Sequence, residues 1–172
     1  LHTAAGSRQV IDLHGHYNEV VCLTCGHILT RSELDARLLD LNPGFLERVT
    51  ELGDVEIAPD ADAVIEQTSQ FRIASCEQCG GTLKPNIVYF GENVPKERVA
   101  RAYAMVEDAD ALLAVGTSLA VQSGLRLVKR AHRDGKPIVI INRGSTRGDE
   151  FATLRLNAGS SQALEFLAAR LP

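Results

Sequence analysis

Ala111-Leu112-Leu113-Ala114-Val115-Gly116-Thr117-Ser118 is an unbroken apolar run that stops at a glycine and two hydroxylated residues. An apolar run without alternation suits a strand covered on both faces, as in a parallel sheet. Upstream lies a second such run, Ile87-Val88-Tyr89-Phe90, followed by a helix-like stretch from about Lys96 to Glu107. Downstream, a helical segment near Gly124 to Arg133 leads into Ile138-Val139-Ile140-Ile141, which ends at Asn142. A last amphipathic helix is expected from about Ser161 to Leu171. This alternation predicts an α/β fold with a doubly wound, Rossmann-like parallel sheet over residues 85–172.

In such sheets ligands gather beyond the carboxyl ends of the strands, where loops and helix N-termini offer backbone N–H groups. That rule selects two turns. Gly116-Thr117-Ser118 is small enough for a phosphate or ribose to approach its amides and hydroxyls closely. In Asn142-Arg143-Gly144 a carboxamide can bond ribose hydroxyls and the glycine leaves room for a nucleotide. Each is also compatible with a plain connection, since Gly-Thr-Ser equally reads as a strand-to-helix turn capped by serine.

The chain contains four cysteines, in two matched pairs separated by 50 residues: Cys22-Leu23-Thr24-Cys25-Gly26 and Cys76-Glu77-Gln78-Cys79-Gly80. Two intervening residues let one short turn aim both sulfurs at a single ion, and the glycine after each second cysteine permits positive φ. The spacing also suits two disulfides or a redox pair. The matched glycines, and the fact that no cysteine is left over, favour a tetrathiolate zinc site. Four thiolates close the coordination sphere, so the expected zinc is structural. His27 follows the first pair closely but is not needed as a ligand, and His2, His16 and His132 carry no motif.

With 172 residues, 45% hydrophobic and 23% charged, the composition is that of a globular domain with one real core and a small satellite. A formal charge of −4 argues against a nucleic-acid-binding surface. No apolar run approaches the length of a membrane span, and the start Leu1-His2-Thr3 lacks the regions of a secretory signal. Free thiols then fit a reducing compartment, the cytoplasm, with the mitochondrial matrix as the alternative. Three parts are expected. Residues 1–20, with the strand-like Val10-Ile11-Asp12-Leu13 leading into His14-Gly15, begin the Rossmann-like portion; 21–84 form a small zinc-binding module; 85–172 complete the Rossmann-like domain. Within the module, Glu51 to Glu66 carries six acids and no Lys or Arg, a run read as a solvated surface without chemistry.

Taken in order, Val10-Ile11-Asp12-Leu13-His14-Gly15, the two cysteine pairs, Lys84-Pro85-Asn86-Ile87-Val88-Tyr89-Phe90-Gly91-Glu92, Gly116-Thr117-Ser118-Leu119 and Ile141-Asn142 resemble the sirtuin family over nearly the whole chain. Leu1-His2-Thr3-Ala4-Ala5-Gly6-Ser7 looks like the segment after that family's Gln-Asn-x-Asp motif. Leu41-Asn42-Pro43 and Gln122-Ser123-Gly124 are closer to its class II branch.

The resemblance implies NAD-dependent removal of acyl groups from lysine, with acyl transfer to ADP-ribose and release of nicotinamide; ADP-ribosyl transfer, or a silent zinc-stabilised module that binds NAD or acyl-peptide, are the alternatives. His14 matches the family's general base toward a ribose hydroxyl, a role apt for an imidazole, which accepts a proton near neutrality. Without the motif, His14 would read as a histidine closing a strand end. Gly116, Thr117, Ser118, Asn142, Arg143 and Gly144 match NAD contacts, and Ser160 falls where a small residue meets the adenine. Val88, Phe90 and Gly91 would border the acyl-lysine tunnel, with the backbone near Gly91 pairing with substrate peptide; Val88 and Phe90 equally suit the core of a buried strand. The family's glycine-rich loop is not found in these residues, so the expected sheet is incomplete on its N-terminal side. Poor turnover by the chain alone, and self-association or completion by a further segment, are the corresponding expectations.

Overall fold

The structure, a computed structural model, describes residues 2–51 and 68–170. The acidic run beyond Glu51 and the final residue of the expected last helix, Leu171, lie outside the described residues. Two compact units are present: Leu1–Leu13 with Glu92–Pro172, and His14–Gly91.

The first unit is built on a parallel sheet of β4 (Leu112–Val115), β5 (Ile138–Ile141) and β6 (Leu154–Leu156), in the order β4-β5-β6. Leu112 lies opposite Ile138 and Val115 opposite Ile141, while Val139 faces Leu154. Helix α4 (Gln122–Arg133) connects β4 to β5, and its Leu125, Val128 and Ala131 recur every third residue on one buried stripe. They pack with Val106 of α3 (Lys96–Asp108), with Leu119, and with Ile138 and Ile140 of the central strand. Full burial of each large aliphatic side chain stabilises the unit by about 1.5–3 kcal/mol. Lys136 donates from Nζ to the carbonyls of Glu107 and Ala109 at 2.7 and 2.5 Å, closing the C-terminal end of α3. The α/β, Rossmann-like reading of this part therefore holds, and the unit ends in α5 (Ser160–Ala168). Strand β6 was not foreseen: its three residues are all exposed and carry no run of apolar character.

The second unit is an antiparallel sheet in the order β2-β1-β3, from β1 (Gly15–Cys22), β2 (Ile28–Thr30) and β3 (Leu83–Ile87). Here two expectations are corrected. The run Ile87-Val88-Tyr89-Phe90 is not a strand of the parallel sheet. Its first residue ends β3, which pairs antiparallel with β1, and Phe90 stands 99% exposed just before Gly91 turns at φ +90°. Likewise Val10–Leu13 form no strand, because the ladder starts at Gly15, opposite Ile87. Helices α1 (Arg31–Leu41) and α2 (Phe45–Glu51) lie between the cysteine pairs. Among the described residues of this unit the buried apolar ones are few: Val20, Cys22, Ala74 and Cys76. Such a small core calls for a staple. Among the described residues no helix is long and apolar enough to cross a membrane.

Candidate functional site

The two cysteine pairs are built as copies of one turn. Cys22 N–H donates to the carbonyl of His27 at 2.8 Å, and Gly26 N–H returns to the Cys22 carbonyl at 3.0 Å. In the second, Cys76 N–H donates to Gly81 at 2.9 Å and Gly80 N–H to Cys76 at 2.7 Å. Gly26 and Gly80 take φ values of +73° and +72°, the left-handed backbone expected of them. A bond from Leu23 N–H to the Thr82 carbonyl, 2.9 Å, ties one turn to the other.

This brings all four sulfurs within 4.8 Å of one another. The near approaches run between turns: Cys22 to Cys79 at 3.5 Å and Cys25 to Cys76 at 3.7 Å, all four thiols being free. A tetrahedron of Zn–S bonds has S–S edges of about 3.8 Å, so the donor set fits zinc. The Cys22 thiol is drawn down to about 6, first by the Cys25 amide and then by the Thr24 amide and neighbouring sulfurs, against the opposing effect of burial. The Gly81 amide lowers Cys79 too, but the sulfurs of Cys25, Cys22 and Cys76, together with burial, push it up to about 12. Such a cluster releases its first proton easily and keeps its last, because four thiolates repel without a cation between them; a dication removes that conflict. With its sphere closed by these four sulfurs a bound zinc would have no open position for water and would act structurally.

His14 is exposed at the mouth of β1, and its carbonyl accepts the Val88 N–H at 2.8 Å. The candidate base and the first residue of the candidate substrate segment are thus backbone neighbours in one unit. Val88 is half-buried, while Phe90 and Gly91 project beyond the strand.

In the other unit, Gly116 closes β4 with φ +64°, its N–H donating to the Ile141 carbonyl at 2.9 Å. A Cβ here would lie 2.8 Å from Ser160 Oγ, so the turn and the start of α5 touch only because residue 116 is glycine. Thr117 and Ser118 hold the turn itself: the Thr117 hydroxyl accepts from Leu119 N–H at 3.1 Å and the Ser118 carbonyl from Arg147 N–H at 3.0 Å. Asn142 and Arg143, from the end of β5, and Ala158 to Gln162, at the start of α5, line an open cleft of about 470 Å³. The Arg143 guanidinium lies over Gly159, where a Cβ would come within 2.9 Å of it. Asn142 donates from Nδ2 to the Arg143 carbonyl at 2.9 Å, and Gly144 N–H donates to Asn157 Oδ1 at 3.1 Å.

Sequence reasoning missed the residues that brace these turns. Arg147 donates from Nη1 to the Ala120 carbonyl at 2.8 Å, and Arg155 reaches the Gly144 carbonyl at 2.5 Å while its Nε pairs with Asp149 at 3.1 Å. Asp149 is held below the ordinary carboxylate range, first by the Thr146 hydroxyl, then by its amide and by Arg155. The Thr146-x-x-Asp149 spacing is a local signal for such a turn.

The sequence profile of the Sir2 family matches residues 1–123. NAD-dependent protein deacetylase 1 of Mycobacterium avium is 53% identical over 171 residues, covering 99% of this chain and 61% of the relative. NAD-dependent protein deacetylase 1 of Streptomyces coelicolor is 46% identical over 173 residues, 99% of this chain and 56% of the relative. Among solved structures, a Sir2 protein bound to a propionylated peptide superposes with a TM-score of 0.70 at 28% identity, covering 99% of this chain and 59% of that one. A Sir2 complex with p53 peptide and NAD+ gives 0.69 at 28% identity, covering 99% and 58%. The chain thus spans little more than half the length of these relatives. The turns that carry the cysteines, the profile match and the shared fold lead to one conclusion: the chain belongs to the Sir2 family.

Proposed function

We propose that this protein is an NAD-dependent protein-lysine deacylase whose base is His14. The observation that carries the reading is the 2.8 Å bond between the His14 carbonyl and Val88 N–H, which sets the imidazole-bearing residue beside the segment proposed to receive acyl-lysine. It is supported by the relatives named NAD-dependent protein deacetylases and by the neighbour bound to a propionylated peptide.

NAD held by these turns would supply an electrophilic ribose carbon with nicotinamide as its leaving group. His14 Nδ1 or Nε2 accepts a proton from a ribose hydroxyl. The extended segment Val88–Gly91 offers backbone groups to a substrate peptide, so affinity comes from the main chain and sequence selectivity is slight. Gly116, Thr117 and Ser118 present a turn narrow enough for close approach, while Asn142, Arg143, Gly144 and Ser160 receive the adenosine side.

The test pairs a nicotinamide-release assay on acylated peptide with calorimetry of NAD binding. His14→Ala, made with this chain in the context of a protein of its relatives' full length, is expected to lower turnover by about 10²–10⁴-fold with NAD binding retained. Gly116→Ala, which forces a Cβ against Ser160, is expected to weaken NAD binding itself. Undiminished nicotinamide release by His14→Ala would end this assignment.

A further inference from the structure

Helix α1 fully buries none of its side chains, Leu34 and Leu38 being only half-buried, so apolar packing fixes its place less firmly than it does that of α4. Its contribution is polar and directed at one strip of backbone. Asn42, at the C-cap of α1, is 7% exposed and is the buried polar residue among the described ones. Its Nδ2 donates to the Arg72 carbonyl at 2.9 Å, and its Oδ1 accepts from the Arg72 N–H at 2.6 Å. A carboxamide that satisfies both backbone groups of one residue imitates a neighbouring strand. Its second proton goes to the Leu38 carbonyl at 2.9 Å, so the clamp is fixed to the helix. One turn earlier, Arg37 donates from Nη2 to the Ser75 carbonyl at 2.6 Å and pairs through Nε with Glu77 at 3.3 Å. These contacts fall at residues 72, 75 and 77, on both sides of Cys76.

The other end of α1 is equally fixed. Thr30 begins a capping box in which its side chain accepts from Glu33 N–H and the Glu33 carboxylate accepts from Thr30 N–H at 2.6 Å. Thr30 also ends β2, which pairs with the strand that carries Cys22. The helix is therefore anchored to the first cysteine turn and grips the backbone of the second. Bringing together cysteines 50 residues apart in the chain costs loop-closure entropy. A grip made through Asn42 and Arg37, neither of which is a ligand, adds contacts other than metal–sulfur bonds to offset part of that cost.

We propose that Asn42 and Arg37 are positioning residues of the metal centre: through the backbone of Arg72 and Ser75 they hold the second cysteine turn against the first. This inference rests on the tetrathiolate reading. It concerns how firmly the ion is kept, not whether catalysis occurs.

The experiment follows transfer of zinc from the loaded protein to an excess of chromophoric chelator under native conditions, with melting temperature recorded on the same samples. Asn42→Ala and Arg37→Ala are expected to bind one zinc and to release it about tenfold faster than wild type. Arg37→Lys keeps a donor for the Ser75 carbonyl and is expected to recover most of the wild-type rate. Val20→Ala loosens the same unit by removing buried methyl groups while leaving every polar contact in place. It is expected to lower the melting temperature with release near the wild-type rate. Wild-type release rates in both alanine variants would overturn the proposal, as would equal acceleration in Val20→Ala. If Asn42→Ala does not fold, the Arg37 pair decides. A wild-type protein that binds no zinc would refute the tetrathiolate reading, a failure distinct from metal retained at an unchanged release rate.

Discussion

Gly81 shows how much chemistry a missing side chain can carry. A Cβ at this position would lie 2.4 Å from Thr24 Oγ1 and 2.9 Å from Cys22 Sγ, the sulfur of a metal ligand. Gly81→Ala is therefore expected to displace a ligand and lower zinc content, read as metal-to-protein ratio after dialysis against a weak chelator. Gly135→Ala is a useful contrast, because its φ is +69° but nothing lies within 4 Å. It is expected to cost about 1 kcal/mol in thermal unfolding, from backbone strain alone, with zinc content unchanged. The roles of Gly26 and Gly80 were legible in the sequence because they follow from position within a repeated turn. That of Gly81 was not, since the contact that requires it comes from a residue 57 positions earlier. Asn42 was hidden for the same reason: its partner is Arg72, far along the chain.

At the level of elements, the sequence was most readable where apolar side chains face a core. Helix α4 and strand β5 were anticipated nearly to their ends because Leu125, Val128, Ala131, Ile138 and Ile140 all pack together. Leu125→Ala is expected to destabilise the parallel-sheet unit by about 2–5 kcal/mol, measured by denaturant unfolding. Helix α1 escaped because none of its side chains is fully buried and its leucines, Leu34 and Leu38 among them, are at most half-buried, although Thr30-x-x-Glu33 marked its start. That box also predicts a pH response. Folding lowers the Glu33 pKa below the ordinary carboxylate range, chiefly through the Thr30 hydroxyl and then its amide. The resulting support for α1 is complete above the ordinary glutamate range and fades as pH falls through the lowered, folded value. Amide exchange in the first turn of α1 should accelerate over that acidic interval in wild type. Glu33→Gln should exchange faster near neutrality and lose this dependence; an unchanged profile would refute the argument.

Over the whole chain, the division of labour between the two units is chemical. One has an aliphatic core around β5, whereas the described residues of the other bury Val20 and Ala74 beside a metal-binding cluster that includes the buried Cys22 and Cys76. Chelation is expected to unfold the unit of His14–Gly91 while the parallel-sheet unit persists, giving two separate transitions by calorimetry where the zinc-loaded protein keeps its small unit to higher temperature. A single transition unaffected by chelator would count against it. The strand-and-helix alternation of residues 96–168 could be inferred from pattern, but the antiparallel sheet could not. Strands β1 and β2 meet across the first cysteine turn, but β3 joins β1 from far along the chain, with Leu83 opposite Cys22, and that pairing leaves no periodic trace. The small unit has one more property. Its first and last strands pair at Gly15 and Ile87, and His14 bonds Val88, so the chain enters and leaves this region at adjacent points. A segment whose ends already meet can be excised, grafted into a foreign loop or cyclised with a short linker, and should keep its zinc in each setting.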